Sequence, residues 1–238
     1  MALWIVAALA AYFVKGLCGF ANTLVFSSIL AFGTTNANIS PVELMLGIPT
    51  NIILTWKNRS KLKRSIYLPL AALVLLGLIP GAFLLKNLDA RFVKVIFGAV
   101  VILVGIEIYL RDIKGWQFRE SRAVTILISL LSGLLCGLFG VGVLLAACVS
   151  RMTDSSEAFK ANFCAVNIIE NTCRLILYSA LGIITLSAVK TAAMLFPFML
   201  AGLFAGMKSS AFLNEKTAKK LVILLLILSG VMMIAENL

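Results

Sequence analysis

Four polar residues, Asn167, Glu170, Asn171 and Arg174, stand at i, i+3, i+4 and i+7 inside an otherwise apolar segment. At helical spacing they share one face, within an arc of about 100°. The chain has no histidine, the side chain whose unperturbed titration falls nearest neutral pH. The stripe therefore offers charge pairing and hydrogen bonding rather than ordinary acid–base catalysis. Two readings stand side by side. In one, Glu170 and Arg174 neutralise each other and the asparagines hold helices together. In the other, Arg174 and the amides of Asn167 and Asn171 line a path for an anion, with Glu170 as the candidate for coupling to protons.

A second polar stripe lies in the first half of the chain. Aligning the Asn-Ile-Ile runs at Asn51 and Asn167 puts Asn51, Thr55 and Asn58 in the same phase, with Leu54 where Glu170 stands. Two glycine clusters accompany these stripes: Gly16 and Gly19 followed by Asn22, and Gly137, Gly140 and Gly142. A helix that breaks and restarts within a membrane presents unpaired N–H groups and the positive end of its dipole, which suits an anion. Gly19, Gly140 and Gly142 would let backbone approach that ligand, though small residues also serve tight helix packing. Lys15, beside the first cluster, either faces this site or extends its ammonium to the membrane surface.

Two acidic residues read as helix caps rather than ligands. Ser40-Pro41-Val42-Glu43 has the pattern of a capping box with proline at the first helical position, and Asp154-Ser155-Ser156-Glu157 offers the same chemistry. Five cysteines, Cys18, Cys136, Cys148, Cys164 and Cys173, lie in apolar segments without a Cys-x-x-Cys pair. That spacing argues against a disulfide framework, and neither a metal nor another cofactor is expected. An alternative from another class is a membrane-embedded thiol-dependent enzyme or sulfur carrier using Cys18 or Cys136; a non-transporting assembly subunit is a third, which leaves the paired stripes unexplained.

The elements that position these residues belong in a membrane. Of 238 residues 61% are apolar and the mean hydropathy is +1.06, against about 45–50% apolar in soluble domains. Apolar segments run over 2–33, 41–56, 66–85, 92–110, 123–150, 159–178, 186–207 and 219–235, most of them near the roughly 20 residues of a spanning helix. The first has no basic leader before it and reads as membrane structure rather than a cleaved signal. Residues 77–110 align without a gap on 202–235: Gly77, Gly81, Leu88, Lys94 and Gly105 meet Gly202, Gly206, Leu213, Lys219 and Gly230. The chain thus reads as two membrane repeats, 1–112 and 123–238, joined by a cytoplasmic linker at 113–122.

The first and fifth segments are about 30 residues long, with the glycine clusters in their middles. Each is either one long crossing or a re-entrant hairpin. Re-entrance puts the loops at 57–64, 111–122, 151–160 and 208–220 on one side with fifteen Lys and Arg, leaving Lys86, Arg91 and Lys94 opposite. Single crossings spread the charges evenly, so the cytoplasmic bias of basic residues favours re-entrance. Each repeat then holds a glycine-broken hairpin and three crossings, an odd number, and the repeats are inverted. The expected fold is an all-α integral membrane protein of the cytoplasmic membrane, with the site between its halves. The net charge of +11 calls for no nucleic acid. Its densest run, 57–64, suits anionic lipid head groups, and the sequence leaves homo-oligomerisation open.

The runs Ser132–Ala146 and Lys15–Phe20, the basic loop before Ile66–Leu84, and the stretch Leu88–Gly105 resemble the sulfite exporter TauE/SafE family over almost the whole chain. The resemblance implies a multi-pass transporter, not an enzyme, in a bacterial cell membrane, moving sulfite, sulfoacetate, thiosulfate or a related small anion. The family's usual glycine run is reduced here to Gly-Val-Gly in the second half and Gly-Phe-Ala in the first. Site residues are not implied by the family. They rest on the residues themselves: Lys15, Gly19, Asn22, Asn51, Thr55, Gly140, Gly142, Asn167, Asn171 and Arg174, with Glu170 for coupling.

Overall fold

The computed structural model describes residues 1–30, 36–87, 122–140 and 142–210, together with scattered helical positions between 95 and 110 and between 227 and 234. The described residues form eight α-helices and no strand: α1 (Ala2–Cys18), α2 (Asn22–Leu30), α3 (Asn36–Lys57), α4 (Arg64–Asn87), α5 (Arg122–Phe139), α6 (Val143–Arg151), α7 (Ser156–Ala180) and α8 (Leu186–Ser209). A single 3-10 turn, Arg59–Lys61, separates α3 from α4. Most of the expected segments at 92–110 and 219–235 lies outside the described residues, as do the linker at 113–121 and the ends of the aligned stretches.

Among the described residues three helical stretches are long and apolar enough to cross a membrane, Ile39–Lys57, Arg64–Leu84 and Leu186–Ser209. Helix α7 is as long, but its polar stripe and terminal charges lower its hydropathy. Large apolar side chains such as Trp56, Leu76, Ile176 and Met194 are exposed, as expected of surface that meets lipid.

Both long segments break at glycine, each in the same way. The Gly19 N–H closes α1 on the Lys15 carbonyl at 2.7 Å, and the Gly140 N–H closes α5 on the Cys136 carbonyl at 2.9 Å. Gly19 has φ +86° and Gly140 φ +71°, the left-handed region that glycine enters without penalty. Gly16 and Gly137, expected at the breaks, instead lie inside α1 and α5 and serve packing. A Cβ on Gly16 would strike Leu203 and Gly206 of α8, and one on Gly137 would strike Leu78 and Gly81 of α4.

These crossings also set helix directions. On α8, Gly202 approaches Leu9 and Phe13 while Gly206 approaches Phe13 and Gly16, so α1 and α8 run parallel. Gly77 approaches Leu130 and Gly81 approaches Leu134 and Gly137, so α4 and α5 are parallel too. Helices α3 and α7 run antiparallel. Ser40 pairs with Tyr178 at 3.1 Å and Glu43 with Arg174 at 3.4 Å, while at the other end the Lys63 N–H donates to Asn162 Oδ1 at 2.9 Å.

The capping expectation holds only for α7, one residue later than expected. Its N-cap is Ser155, whose hydroxyl accepts from the Ala158 N–H, and Glu157 sits in the exposed first turn. For α3 it is overturned. The helix begins at Asn36, a full turn earlier, so Pro41 lies in its interior. The Ser40 hydroxyl is drawn to Tyr178, and the Glu43 carboxylate is drawn inward to α2 and α7.

Candidate functional site

The two breaks and the two polar stripes meet around one small cavity. It is lined by Lys15 of α1, by Phe20 to Leu24 across the first break, by Glu43 and Asn51 of α3, by Gly140 and Gly142 of the second break, and by Phe163, Asn167 and Asn171 of α7. About 30 Å³ is open to water-sized groups, where a single water needs about 10–15 Å³. Seven residues singled out from the sequence share this wall: Lys15, Asn22, Asn51, Gly140, Gly142, Asn167 and Asn171.

Lys15 is the one cation among the residues that line the cavity, and Glu43 the one carboxylate. Lys15 is only 2% exposed, so it does not reach the membrane surface. Among the described residues its ammonium has no ion pair within contact distance and no hydrogen bond; the Tyr12 ring centroid is 6.0 Å away, and Cys164 and Glu43 act on it electrostatically from farther off. A buried charge without a direct partner is costly. Helix α2 starts at the same wall, presenting its orphan N–H groups. Asn51 adds an unpartnered carboxamide oxygen, Oδ1.

Two polar cavity residues escaped the sequence reading. Glu43 is 2% exposed; its Oε1 accepts from Asn22 Nδ2 at 2.7 Å and from Thr23 Oγ1 at 2.8 Å. Thr23 is the second. A signal for Glu43 was present: Glu43, Gly47, Asn51 and Thr55 are spaced four apart, so the α3 stripe extends one full turn beyond Gly47 to Glu43.

Arg174 sits behind this wall and is not among the residues that line the cavity. It is among the largest fully buried side chains. Its Nη1 donates to the Cys136 carbonyl at 2.9 Å, its Nη2 to Asn171 Oδ1 at 2.9 Å and to Glu43 Oε2 at 3.4 Å. Its Nε lies 3.4 Å from Glu170 Oε1, a Coulombic contact without hydrogen-bond alignment. The expected i,i+4 pair is therefore present, and Glu43 makes it a triad. With its donors turned to protein oxygens, the guanidinium ties α7 to α3 and α5.

Three other candidates also stand off the cavity. Glu170 faces Arg174 and is absent from the wall. Thr55, a turn below Asn51, has a buried hydroxyl without a partner. Gly19 carries the Lys160 side chain against its Cα face and has Cys164 Sγ 3.9 Å from its carbonyl. Cys18 and Cys136, the residues of the thiol alternative, are buried and do not line the cavity.

Comparison with known proteins gives one family. Residues 4–233 match the family described as Sulfite exporter TauE/SafE, which is nearly the full length of the 238-residue chain. No curated protein and no solved structure gives a match.

Proposed function

We propose that this chain, which belongs to the sulfite exporter TauE/SafE family of membrane transporters, is a secondary transporter that binds a small sulfur-containing anion in the cavity around Lys15. Sulfite, sulfoacetate and thiosulfate are the substrates to consider. The observation that carries the reading is the Lys15 ammonium, buried and unpaired beside a helix start and three asparagines. An oxyanion there gains a charge-assisted hydrogen bond from Lys15, backbone donors from α2 and carboxamide donors from Asn51 and Asn171, while the Asn167 Nδ2 donates to the Phe163 carbonyl at 3.0 Å. Arg174 positions Asn171 and Glu43 rather than touching substrate.

Helix directions support two inverted repeats with re-entrant hairpins. The hydrogen bond from Lys63 to Asn162 puts the end of α3 and the start of α7 at one face; the Lys and Arg of 57–64 and 151–160 argue that it is cytoplasmic. Helix α8 returns from the far face, and α1 runs parallel to it, so α1 and α3 both start at the far face. Helix α2 between them then has to turn back. By the same steps α5 follows α4 away from the cytoplasmic face, α7 starts there, and α6 turns back. Substrate would sit where the two hairpin tips meet, a geometry suited to alternating access.

Reconstituted into proteoliposomes, the protein is expected to exchange radiolabelled sulfite, thiosulfate or sulfoacetate, and to keep doing so when all five cysteines are replaced. Loss of exchange with the thiols, in a folded variant, would favour covalent sulfur chemistry instead. In that cysteine-free background, single cysteines at Ser60 and Asp154 are expected to react with an impermeant reagent from the same face, and one at Ser187 from the other. Reaction of Ser60 and Asp154 from opposite faces would contradict the hairpins.

A further inference from the structure

Glu43 holds the donors that an anion in the cavity needs. Asn22 Nδ2 and Thr23 Oγ1, both at the start of α2, point at Glu43 Oε1 at 2.7 and 2.8 Å, while Oε2 leans on Arg174 at 3.4 Å. Glu170 contacts the same guanidinium at 3.4 Å, so two buried carboxylates share one Arg174. Lys15 is the fourth buried charge of the cluster, and only with it do the charges balance. An anion that binds Lys15 removes that balance, leaving surplus negative charge among buried side chains.

Resting on the anion-site reading above, we propose that Glu43 is the coupling residue: the cavity takes one anion together with one proton, and Glu43 Oε1 holds the proton. The protonated oxygen no longer competes for the α2 donors, so Asn22 and Thr23 turn to the anion and the new O–H becomes a further donor. One O–H bond forms on entry and breaks on release, the proton coming from water on the side of entry and leaving with the anion. Glu170, the carboxylate expected for this task from the sequence, faces Arg174 away from the cavity.

The surroundings of Glu43 single it out. Tyr12 and Lys15 face it from α1, Cys136 from α5, and Glu170, Arg174 and Tyr178 from α7. Helix α8 also packs on α3, but its two charged residues, Lys190 and Lys208, are exposed. Of these groups, Glu43 alone is a carboxylate on the cavity wall.

The test uses the whole chain in proteoliposomes with a pH-sensitive dye inside, and thiosulfate, sulfate, sulfite and sulfoacetate as probes. Thiosulfate and sulfate do not titrate near neutral pH, so a proton that moves with them is the protein's. The expected result is one proton entering with each anion, and faster anion entry when the outside is acid. In Glu43→Gln, thiosulfate or sulfate flux should fall and become indifferent to the pH gradient, while Glu170→Gln keeps the response. Anion flux without proton flux in the unaltered protein overturns the proposal, whether or not Glu43→Gln folds. So does a Glu43→Gln protein that still follows the gradient. If the unaltered protein moves none of the four probes, the anion-transport reading fails and this inference falls with it; proton-free flux would sink the inference alone.

Discussion

The two glycine breaks are built alike and used differently. Each closes a helix with the same N–H to carbonyl bond, at Gly19 onto Lys15 and at Gly140 onto Cys136, and each restarts as a nine-residue helix. At the first break, the residue four before the glycine is Lys15, whose ammonium faces the cavity uncommitted. At the second it is Cys136, whose carbonyl also accepts from Arg174, and the restarting helix gives its Leu145 N–H to Ser132 Oγ at 3.1 Å. The first break keeps donors available for a ligand; the second satisfies its groups internally. In the proposed function one backbone device serves binding in one place and bracing in the other, and the difference lies in side chains rather than in fold.

The largest effect is expected at the brace. Arg174→Gln leaves Glu43 and Glu170 buried without the guanidinium that both contact, a loss of about 3–5 kcal/mol visible as a collapse of the unfolding midpoint or of membrane-inserted protein. Adding Glu170→Gln should recover part of this and no more, because Glu43 still lacks its guanidinium. Full recovery by the double variant would show that Glu43 does not depend on Arg174.

Next comes the contrast between the glycines. Both glycines hold a positive φ, but a Cβ at Gly140 meets the Arg174 guanidinium and Glu43, whereas at Gly19 it meets the flexible Lys160 side chain. Gly140→Ala should cost about 3 kcal/mol and Gly19→Ala about 1 kcal/mol, compared by thermal unfolding in the same detergent. Equal costs would mean that backbone conformation alone governs both sites.

The smallest effect concerns Ala21, which holds φ +68° two residues after Gly19. Gly142, two residues after Gly140, has φ −98° and carries no such strain. Ala21→Gly should stabilise by at most about 1 kcal/mol, a slight rise in midpoint. A fall would indicate that the Ala21 methyl contributes packing worth more than its strain.

Much of this arrangement was legible because its signals are local. Apolar length located α4 and α8 to within two residues at each end, and paired glycine clusters located both breaks. The stripes at Asn51 and Asn167 pointed at the cavity because helical spacing fixes which residues share a face. What was not legible depends on partners far along the chain. Ser40 and Glu43 satisfy a capping pattern, and only Tyr178 and Arg174, more than 130 positions away, draw them off it. Arg174 shares the stripe of Asn167, but a long side chain can reach around its helix, and spacing does not reveal that it turns to Cys136. Gly16 and Gly19 look equivalent in sequence; the approach of α8 makes one a contact and leaves the other as the break.

The central claim, that Lys15 makes the cavity an anion site, is tested most directly by ligand-induced stabilisation of the purified protein. Sulfite, thiosulfate and sulfoacetate, each compared with chloride at equal ionic strength, should raise the unfolding midpoint of the unaltered protein in proportion to occupancy for at least one of the three. Cys136→Ala, the change at the matching place of the second break, should keep that response. Lys15→Gln should lose it, with affinity weakened by about 30-fold or more, since removing one partner of a buried charge pair costs about 2–5 kcal/mol. A Lys15→Gln protein that is stabilised as strongly as the unaltered one would contradict the account.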